Sequence, residues 1–122
     1  MLKLRKLAAV FYKTSNGREP VRDWLLELQP EDRKVIGRDI QVVQYEWPLG
    51  RPLVDHLRGG IWEVRSGLSN RQARVLFAVP GEEIVLLHGF IKKTRSTPRE
   101  DLALAERRWR HWQGQRQEDS DE

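Results

Sequence analysis

The hydrophobic positions along the chain follow two different periods. Residues 20–47 place apolar side chains three and four positions apart, which predicts two amphipathic helices, the second restarting at Pro30. Residues 61–92 instead alternate or run continuously, and the turn sequences SN and PGEE divide them into three strands. Because the connections between these strands are short, the pattern predicts an antiparallel meander.

Two further elements flank these segments. The short apolar run LAAVFYK at residues 7–13 predicts a first strand. Near the end, Thr97, Pro98 and Glu100 have the spacing of a helix N-cap, a first helical residue and the reciprocal partner of the cap, which predicts a C-terminal helix. The sequence therefore predicts one α+β domain. Its small antiparallel sheet combines the N-terminal strand with the three-stranded meander, and its helices pack on one face.

A basic body precedes an acidic end. The 122 residues carry a net charge of +4, although the last five residues hold four of the 18 acids. The remaining 14 acids stand against 22 bases, 16 of them arginine, whose planar group suits bidentate contacts with phosphate. Such a body favours an anionic partner, with nucleic acid the leading candidate. We predict a single domain over residues 1–113 and an acidic, disordered tail over residues 114–122.

The composition excludes several kinds of site. Without cysteine the chain has no disulfide, thiolate metal ligand or cysteine nucleophile. The three histidines lack the spacing of metal ligands, and the chain contains neither a glycine-rich phosphate loop nor a serine-centred elbow. No apolar run approaches the roughly 18 residues that span a membrane. We therefore expect no metal or other cofactor, no membrane association and a cytoplasmic location.

Alternating polar positions on the predicted meander form the main candidate site. Arg65, Arg74 and Lys92 would share one face of the sheet with Phe90 if the strands align. When a 2′-hydroxyl attacks a phosphate during RNA cleavage, preorganised cations stabilise the developing charge. An aromatic ring can hold a base by stacking. The alternative is ordinary cross-strand ion pairing, for example between Glu63 and Arg74.

Four residues are candidates for proton transfer. His88 lies in the most apolar strand, where the alternative is a structural hydrogen bond to a backbone carbonyl. His56 lies in the loop-like segment DHLRGG and is a comparable candidate. Lys92 and Lys93 are adjacent, and repulsion between neighbouring ammonium groups can lower the pKa of one of them, so that it can donate a proton. The alternative is that both lysines only bind phosphate.

Three stretches of the chain carry a family resemblance. They read LRGGIWEVRSGLSNRQARVLFAV, IVLLHGFIKKTRSTPRED and AERRW, and the likeness extends over roughly residues 8–112. On these stretches the chain resembles the phage-derived subgroup of HigB-like toxins in the RelE/ParE toxin superfamily. The resemblance implies a RelE-like fold and the toxin of a type II toxin–antitoxin system. Such a toxin is a ribosome-dependent, metal-independent mRNA endoribonuclease that inhibits translation and arrests growth.

The resemblance also implies partners and site residues. The partners would be the ribosome, its mRNA and a helix-turn-helix antitoxin, through which alone the protein would reach operator DNA. The catalytic residues implied are Arg65, Arg74, Lys92 and Lys93. The RNA-binding residues implied are Phe90, Arg58, Thr94 and Arg95.

The chain departs from the superfamily pattern in one respect. Many members that cut RNA use a tyrosine or a histidine near the end of the chain, whereas here Tyr12 and Tyr45 lie early and His111 lies on a predicted helix. The general acid and base are therefore left unassigned. Because related folds host different functions, two alternatives stay open. One is a ParE-like inhibitor of DNA gyrase, and the other is a degenerate toxin that serves only as antitoxin partner and co-repressor.

Overall fold

The computed structural model describes residues 6–121, with side chains as far as residue 119. These residues form one five-stranded mixed sheet with helices on both faces. In chain order the elements are β1 (Ala8–Phe11), α1 (Pro20–Glu27), α2 (Pro30–Glu46), β2 (Val54–Arg58), β3 (Ile61–Gly67), β4 (Gln72–Ala78), β5 (Glu83–Lys92) and α3 (Arg99–Asp121). Across the sheet the strands lie in the order β1-β5-β4-β3-β2.

The α+β class predicted from the sequence is confirmed, but the arrangement differs in three ways. Strand β1 pairs with β5 in parallel, so the sheet is mixed and not purely antiparallel. Strand β2 is an additional edge strand, antiparallel to β3. Only Val54 of its five residues is buried, so the segment lacks the apolar alternation that indicates a strand. Helices α1 and α2 cover one face and α3 the other, whereas the sequence predicted all helices on one face.

Helices α1 and α2 form where the helical period predicted them. Each begins at a proline, Pro20 or Pro30, whose fixed backbone angle and missing N–H suit the first turn of a helix. On α2 the side chains of Ile36, Ile40 and Val43 are buried against the sheet. Their spacing of four and three residues places all three on the same side of the helix, so the apolar stripe determines which side packs inward.

Helix α3 packs on one end of the opposite face. Its Ala105 is fully buried, and Leu102, Trp109 and Trp112 pack around it. The strand residues buried beneath them are Ile61, Leu76, Ala78, Val85 and Leu87. These residues lie mainly toward the end of the sheet that carries the β2–β3 and β4–β5 turns. Polar side chains occupy the same face at the other end, where the candidate site lies.

The two ends of α3 differ from the sequence prediction. The helix begins at Arg99, and the hydroxyl of Thr97, predicted to cap it, donates to the Glu63 carboxylate at 2.6 Å. At its other end the helix continues to Asp121, through most of the segment assigned to an acidic tail. The division of the chain at residue 113 stays a prediction. No helix within residues 6–121 is long and apolar enough to cross a membrane.

Gly89 allows α1 to pack closely on β5. A Cβ atom at this position would lie 2.4 Å from Cε3 of Trp24, well inside van der Waals contact. We expect Gly89→Ala to lower the free energy of unfolding by about 1–3 kcal/mol, because the indole or the strand has to move. Urea unfolding followed by circular dichroism measures the change. Gly67→Ala is the control, since a Cβ there meets no described atom within 4 Å; equal losses in both variants would contradict this account.

Candidate active site at the polar end of the sheet

The strand register brings the predicted cations to one face of the sheet. Arg65 on β3 lies opposite Arg74 on β4, and Arg74 lies opposite Phe90 on β5. Lys92 is two residues further along β5, opposite Gln72. Residues that lie opposite one another in antiparallel strands point to the same side of the sheet. The register therefore gathers the three cations at the end that lies beyond the apolar contacts of α3, with Phe90 at the margin of the apolar cluster that α3 covers.

A cleft of about 290 Å³ opens at this polar end. Strands β2, β3 and β5 and the loop between β5 and α3 contribute its lining, in which four cations outnumber two carboxylates. The charged lining residues are Arg51, Arg65, Lys92, Arg95, Asp55 and Glu63. The excess of positive charge favours an anionic ligand. In the part of the chain that the structure describes, no group of three or more histidine or carboxylate side chains is placed to hold a metal ion.

Arg74 is buried beneath this cleft and does not line it. Its side chain is 1% exposed and donates to the Ala73 carbonyl at 2.9 Å and to Gln72 Oε1 at 3.0 Å. Its Nε lies 3.8 Å from Glu63 Oε2, so the cross-strand ion pair considered from the sequence is present. Burial lowers the pKa of Arg74, and the Glu63 carboxylate opposes this effect. Arg74 therefore influences a ligand through its charge and through Glu63.

The loop between β5 and α3 is tied to the sheet at Thr97. The Thr97 hydroxyl donates to Oε1 of Glu63, and the Thr94 hydroxyl donates to the Ser96 carbonyl at 2.7 Å. These bonds hold the loop with Arg95 at the cleft. Lys93 and Thr94 are exposed on the same loop, outside the residues that line the cleft.

Lys92 lies close to the cations of the neighbouring strands. Partial burial lowers its pKa, and the positive charges of Arg74 and Arg65 lower it further, while Glu63 acts in the opposite direction. The sequence had predicted repulsion between the two adjacent lysines as the cause. The cations of the neighbouring strands supply this repulsion instead, because the register places them on the face that Lys92 shares.

Two predicted site residues lie away from the cleft. Arg58 is at the far end of β2, where it donates to the Glu106 carboxylate of α3 at 2.8 and 3.2 Å. His56 lies opposite Trp62, on the face that α1 and α2 cover, and its Nε2 is 2.6 Å from the Gly59 carbonyl oxygen. The sequence could not separate them from the site, because the segment that carries both had been assigned to a loop.

His88 shares the face of Phe90 but is bonded to α3. Its Nε2 lies 2.6 Å from Oδ1 of Asp101, so its partner is a carboxylate and not the backbone carbonyl considered from the sequence. Its ring stacks with that of Phe90, at 5.4 Å between centroids. Burial lowers the pKa of His88, and Asp101 opposes this effect. His88 thus anchors the first turn of α3 and supports Phe90, and its role in proton transfer stays a prediction.

The early tyrosine and the late histidine meet at a different place. The Tyr12 hydroxyl lies 2.5 Å from Nδ1 of His111, and Arg108 lies over the tyrosine ring. His111 is twelve residues beyond Arg99, which corresponds to about 18 Å along the helix. The pair therefore stabilises the packing of α3 against the β1 edge, away from the cleft.

Six residues that line the cleft were not identified as site residues from the sequence: Arg51, Asp55, Leu57, Glu63, Ser96 and Thr97. Arg51 and Asp55, which form an ion pair at 3.0 Å, lie on either side of the start of β2, the strand that was not predicted. Glu63 had been considered only as an ion-pair partner, and Thr97 only as a helix cap. The sequence did contain one indication that Glu63 belongs to the site: it lies two residues before Arg65 on β3 and therefore on the same face.

Comparison with known proteins identifies the family. The family described as Phage derived protein Gp49-like (DUF891) matches residues 23–110, more than two thirds of the chain. The protein belongs to this Gp49-like family, which is part of the RelE/HigB-like toxin superfamily. The mixed sheet with three helices in the described residues is broadly consistent with a RelE-like fold. Membership is consistent with a toxin of a toxin–antitoxin pair and suggests an antitoxin partner. A search of curated proteins found no significant match.

The buried pair of Arg74 and Glu63 makes a prediction about stability. Removing one partner leaves the other charge buried without compensation, so we expect Arg74→Ala to lower the free energy of unfolding by about 3 kcal/mol or more. Lys92→Ala removes a cation at the surface of the cleft and should cost less than about 1 kcal/mol. Urea unfolding at neutral pH measures both variants. Similar small losses would show that the buried pair contributes little to stability.

Proposed function

We propose that this protein is the toxin of a type II toxin–antitoxin system and that it is a metal-independent endoribonuclease acting on ribosome-bound mRNA. The observation that supports the activity most is the cleft at the polar end of the sheet, where Arg65, Lys92 and Arg95 line one cavity. Phe90 precedes Lys92 by two residues on the same strand face. The family relationship supports the toxin assignment, and the cleft supports the chemistry.

The cleft contains the groups that RNA transesterification requires. In this reaction a ribose 2′-oxygen attacks the adjacent phosphorus and the 5′-oxygen leaves, so negative charge grows on the non-bridging oxygens. The guanidinium groups of Arg65 and Arg95 would bind those oxygens through N–H groups of fixed direction. Because a strand holds Arg65 and a tied loop holds Arg95, little reorganisation is needed as the charge develops.

Lys92 is the proposed proton donor to the leaving 5′-oxygen. Its pKa is lowered by burial and by Arg74 and Arg65, which brings it closer to the range in which general acids work efficiently. Phe90 would stack on a base of the substrate. The exposed Lys93 would contact the RNA backbone next to the cleft. Arg74 would contribute positive charge from beneath without touching the RNA.

The proposed partners follow from the same assignment. The positive charge of the chain suits the phosphate-rich surface of the ribosome and its mRNA. A helix-turn-helix antitoxin would block the toxin and would carry it to operator DNA.

Mapping of mRNA 5′ ends after induced expression in a bacterial host tests the activity. We expect new ends inside the coding regions of translated messages, and none in the same message without a start codon. Lys92→Ala should reduce cleavage at least about 100-fold, as expected for loss of a general acid. Lys34→Ala, which removes an exposed lysine on α2, should leave it within about twofold.

Intact messages during complete growth arrest would contradict the proposed activity. In that case, inhibition of DNA supercoiling by purified gyrase would identify the gyrase alternative. Equal loss of cleavage in Lys92→Ala and Lys34→Ala would show that the general positive charge matters and not the position of Lys92.

The lowered pKa of Lys92 also predicts a pH dependence. The cleavage rate should fall as the pH rises through that pKa, which lies below the ordinary value of 10.5, because a neutral amine has no proton to donate. In Lys92→Arg the guanidinium stays protonated throughout, so the remaining activity should lose this alkaline decline. Single-turnover rates on ribosome-bound mRNA measure both profiles. A decline that persists unchanged in Lys92→Arg would assign it to another group.

A further inference from the structure

The cleft contains a carboxylate to which the proposed function has given no role. Glu63 lies on β3, two residues before Arg65 and on the same face. It lines the cleft although the residue is only 4% exposed. A carboxylate is costly to bury even when it is paired, and one at the edge of a basic cleft is a candidate for chemistry.

The two oxygens of Glu63 have different surroundings. Oε1 accepts a hydrogen bond from the Thr97 hydroxyl at 2.6 Å. Oε2 faces Nε of Arg74 at 3.8 Å, which is longer than a hydrogen bond. Arg74 Nε has no hydrogen-bond partner among the residues that the structure describes. Thr97 therefore holds one oxygen in place, while the other keeps the capacity to accept a proton beside a positive charge.

The other titratable groups near the cleft are less suited to accept a proton. Asp55 lies opposite Glu63 in the register and accepts a hydrogen bond from Arg51 at 3.0 Å. This bond lowers the pKa of Asp55, which weakens it as a base. His88 is bonded to Asp101 at 2.6 Å and is not one of the lining residues. Oε2 of Glu63, by contrast, lies 3.8 Å from its arginine neighbour and accepts no hydrogen bond from it.

Glu63 and Lys92 lie on opposite sides of the cleft. They belong to β3 and β5, with β4 between them, and Lys92 lies four residues beyond the β5 position that is level with Glu63, so their backbones are about 16 Å apart. The two groups interact, because the charge of Glu63 raises the pKa of Lys92. Glu63, Arg65 and Lys92 all line the same cleft, so a phosphodiester bound there would lie between Glu63 and Lys92, with Arg65 beside Glu63 to bind its oxygens. A base and an acid would then face the attacking and the leaving oxygen from opposite sides.

We propose, on the basis of the proposed function, that Glu63 is the general base of RNA cleavage. Its Oε2 takes the proton from the ribose 2′-hydroxyl while the bond from the 2′-oxygen to phosphorus forms. The bond from phosphorus to the 5′-oxygen breaks, and the 5′-oxygen takes a proton from Nζ of Lys92. The products are a 2′,3′-cyclic phosphate and a 5′-hydroxyl, with Glu63 left protonated and Lys92 left neutral. Thr97 is a positioning residue that orients Glu63.

The test compares cleavage with binding in two variants of the full chain. Single-turnover cleavage is measured on ribosome-bound mRNA, and binding on the same complex with a 2′-deoxy nucleotide at the cleavage position, which removes the attacking hydroxyl. Glu63→Gln keeps an oxygen for Thr97 but removes the base, so the cleavage rate should fall at least about 100-fold while the dissociation constant changes less than about threefold. Thr97→Val keeps the base but removes the hydrogen bond that orients it, so cleavage should slow by about tenfold while the dissociation constant stays unchanged.

The outcomes separate this inference from the proposed function. If the wild-type protein cleaves and Glu63→Gln cleaves within about threefold of it, Glu63 is not the base, and the proposed function stands. If Glu63→Gln and Thr97→Val lose cleavage and binding equally, Glu63 only anchors the loop, and the inference is also overturned. Absence of wild-type cleavage would overturn both.

A second variant is used if circular dichroism shows that Glu63→Gln does not fold. Glu63→Asp keeps the negative charge beside Arg74. Its shorter side chain should slow cleavage at least about tenfold with binding unchanged, and an undiminished rate would overturn the inference.

Discussion

The positively charged side chain of Arg74 is buried on β4, the middle strand of the sheet. The other contacts at the polar end of the sheet depend on this buried charge. Glu63 on the neighbouring strand supplies the opposite charge. The guanidinium of Arg74 also donates hydrogen bonds to the Ala73 carbonyl and to Oε1 of Gln72. Glu63 in turn accepts a hydrogen bond from the Thr97 hydroxyl, so the path of the loop before α3 depends on the pair of Arg74 and Glu63. An apolar pair of similar volume would often be as stable. The presence of charges at this position is therefore better explained by the cleft above them than by the stability of the sheet.

One sheet face carries both an apolar core and the candidate site, because α3 packs on only one end of it. Where α3 packs, Leu76, Leu87 and Ala105 are fully buried. Where it does not, the same strands present Arg65 and Lys92 to the cleft. Pairing of the strands fixes the backbone positions of these two cations relative to each other.

Local patterns predicted most of the elements. Apolar spacing and the prolines at residues 20 and 30 identified α1 and α2, and alternation between turn sequences identified β3, β4 and β5. Strand β2 was not predicted, because this exposed edge strand has no alternating apolar pattern. The parallel pairing of β1 with β5 was not predictable from local signals, because it joins segments from opposite ends of the chain. The position of α3 on its own face depends in the same way on contacts between distant segments.

The candidate site was predictable in part. Alternation assigned Arg65, Arg74, Phe90 and Lys92 to one face, since side chains on a strand point to opposite sides in turn. Alternation does not say how deeply a side chain is buried, so it could not show that Arg74 lies beneath the cleft. The bond between Thr97 and Glu63 depends on the path of a loop, which no local pattern determines.

The central claim is that a phosphodiester of mRNA binds in the cleft between β3 and β5. The most direct measurement is a structure of the protein on a ribosome whose mRNA carries a 2′-deoxy nucleotide at the cleavage position. We expect the scissile phosphate to lie between Glu63 and Lys92, with the Arg65 guanidinium on its non-bridging oxygens. A complex in which the mRNA contacts the outer surface of α2 or α3, with no phosphate in the cleft, would contradict it.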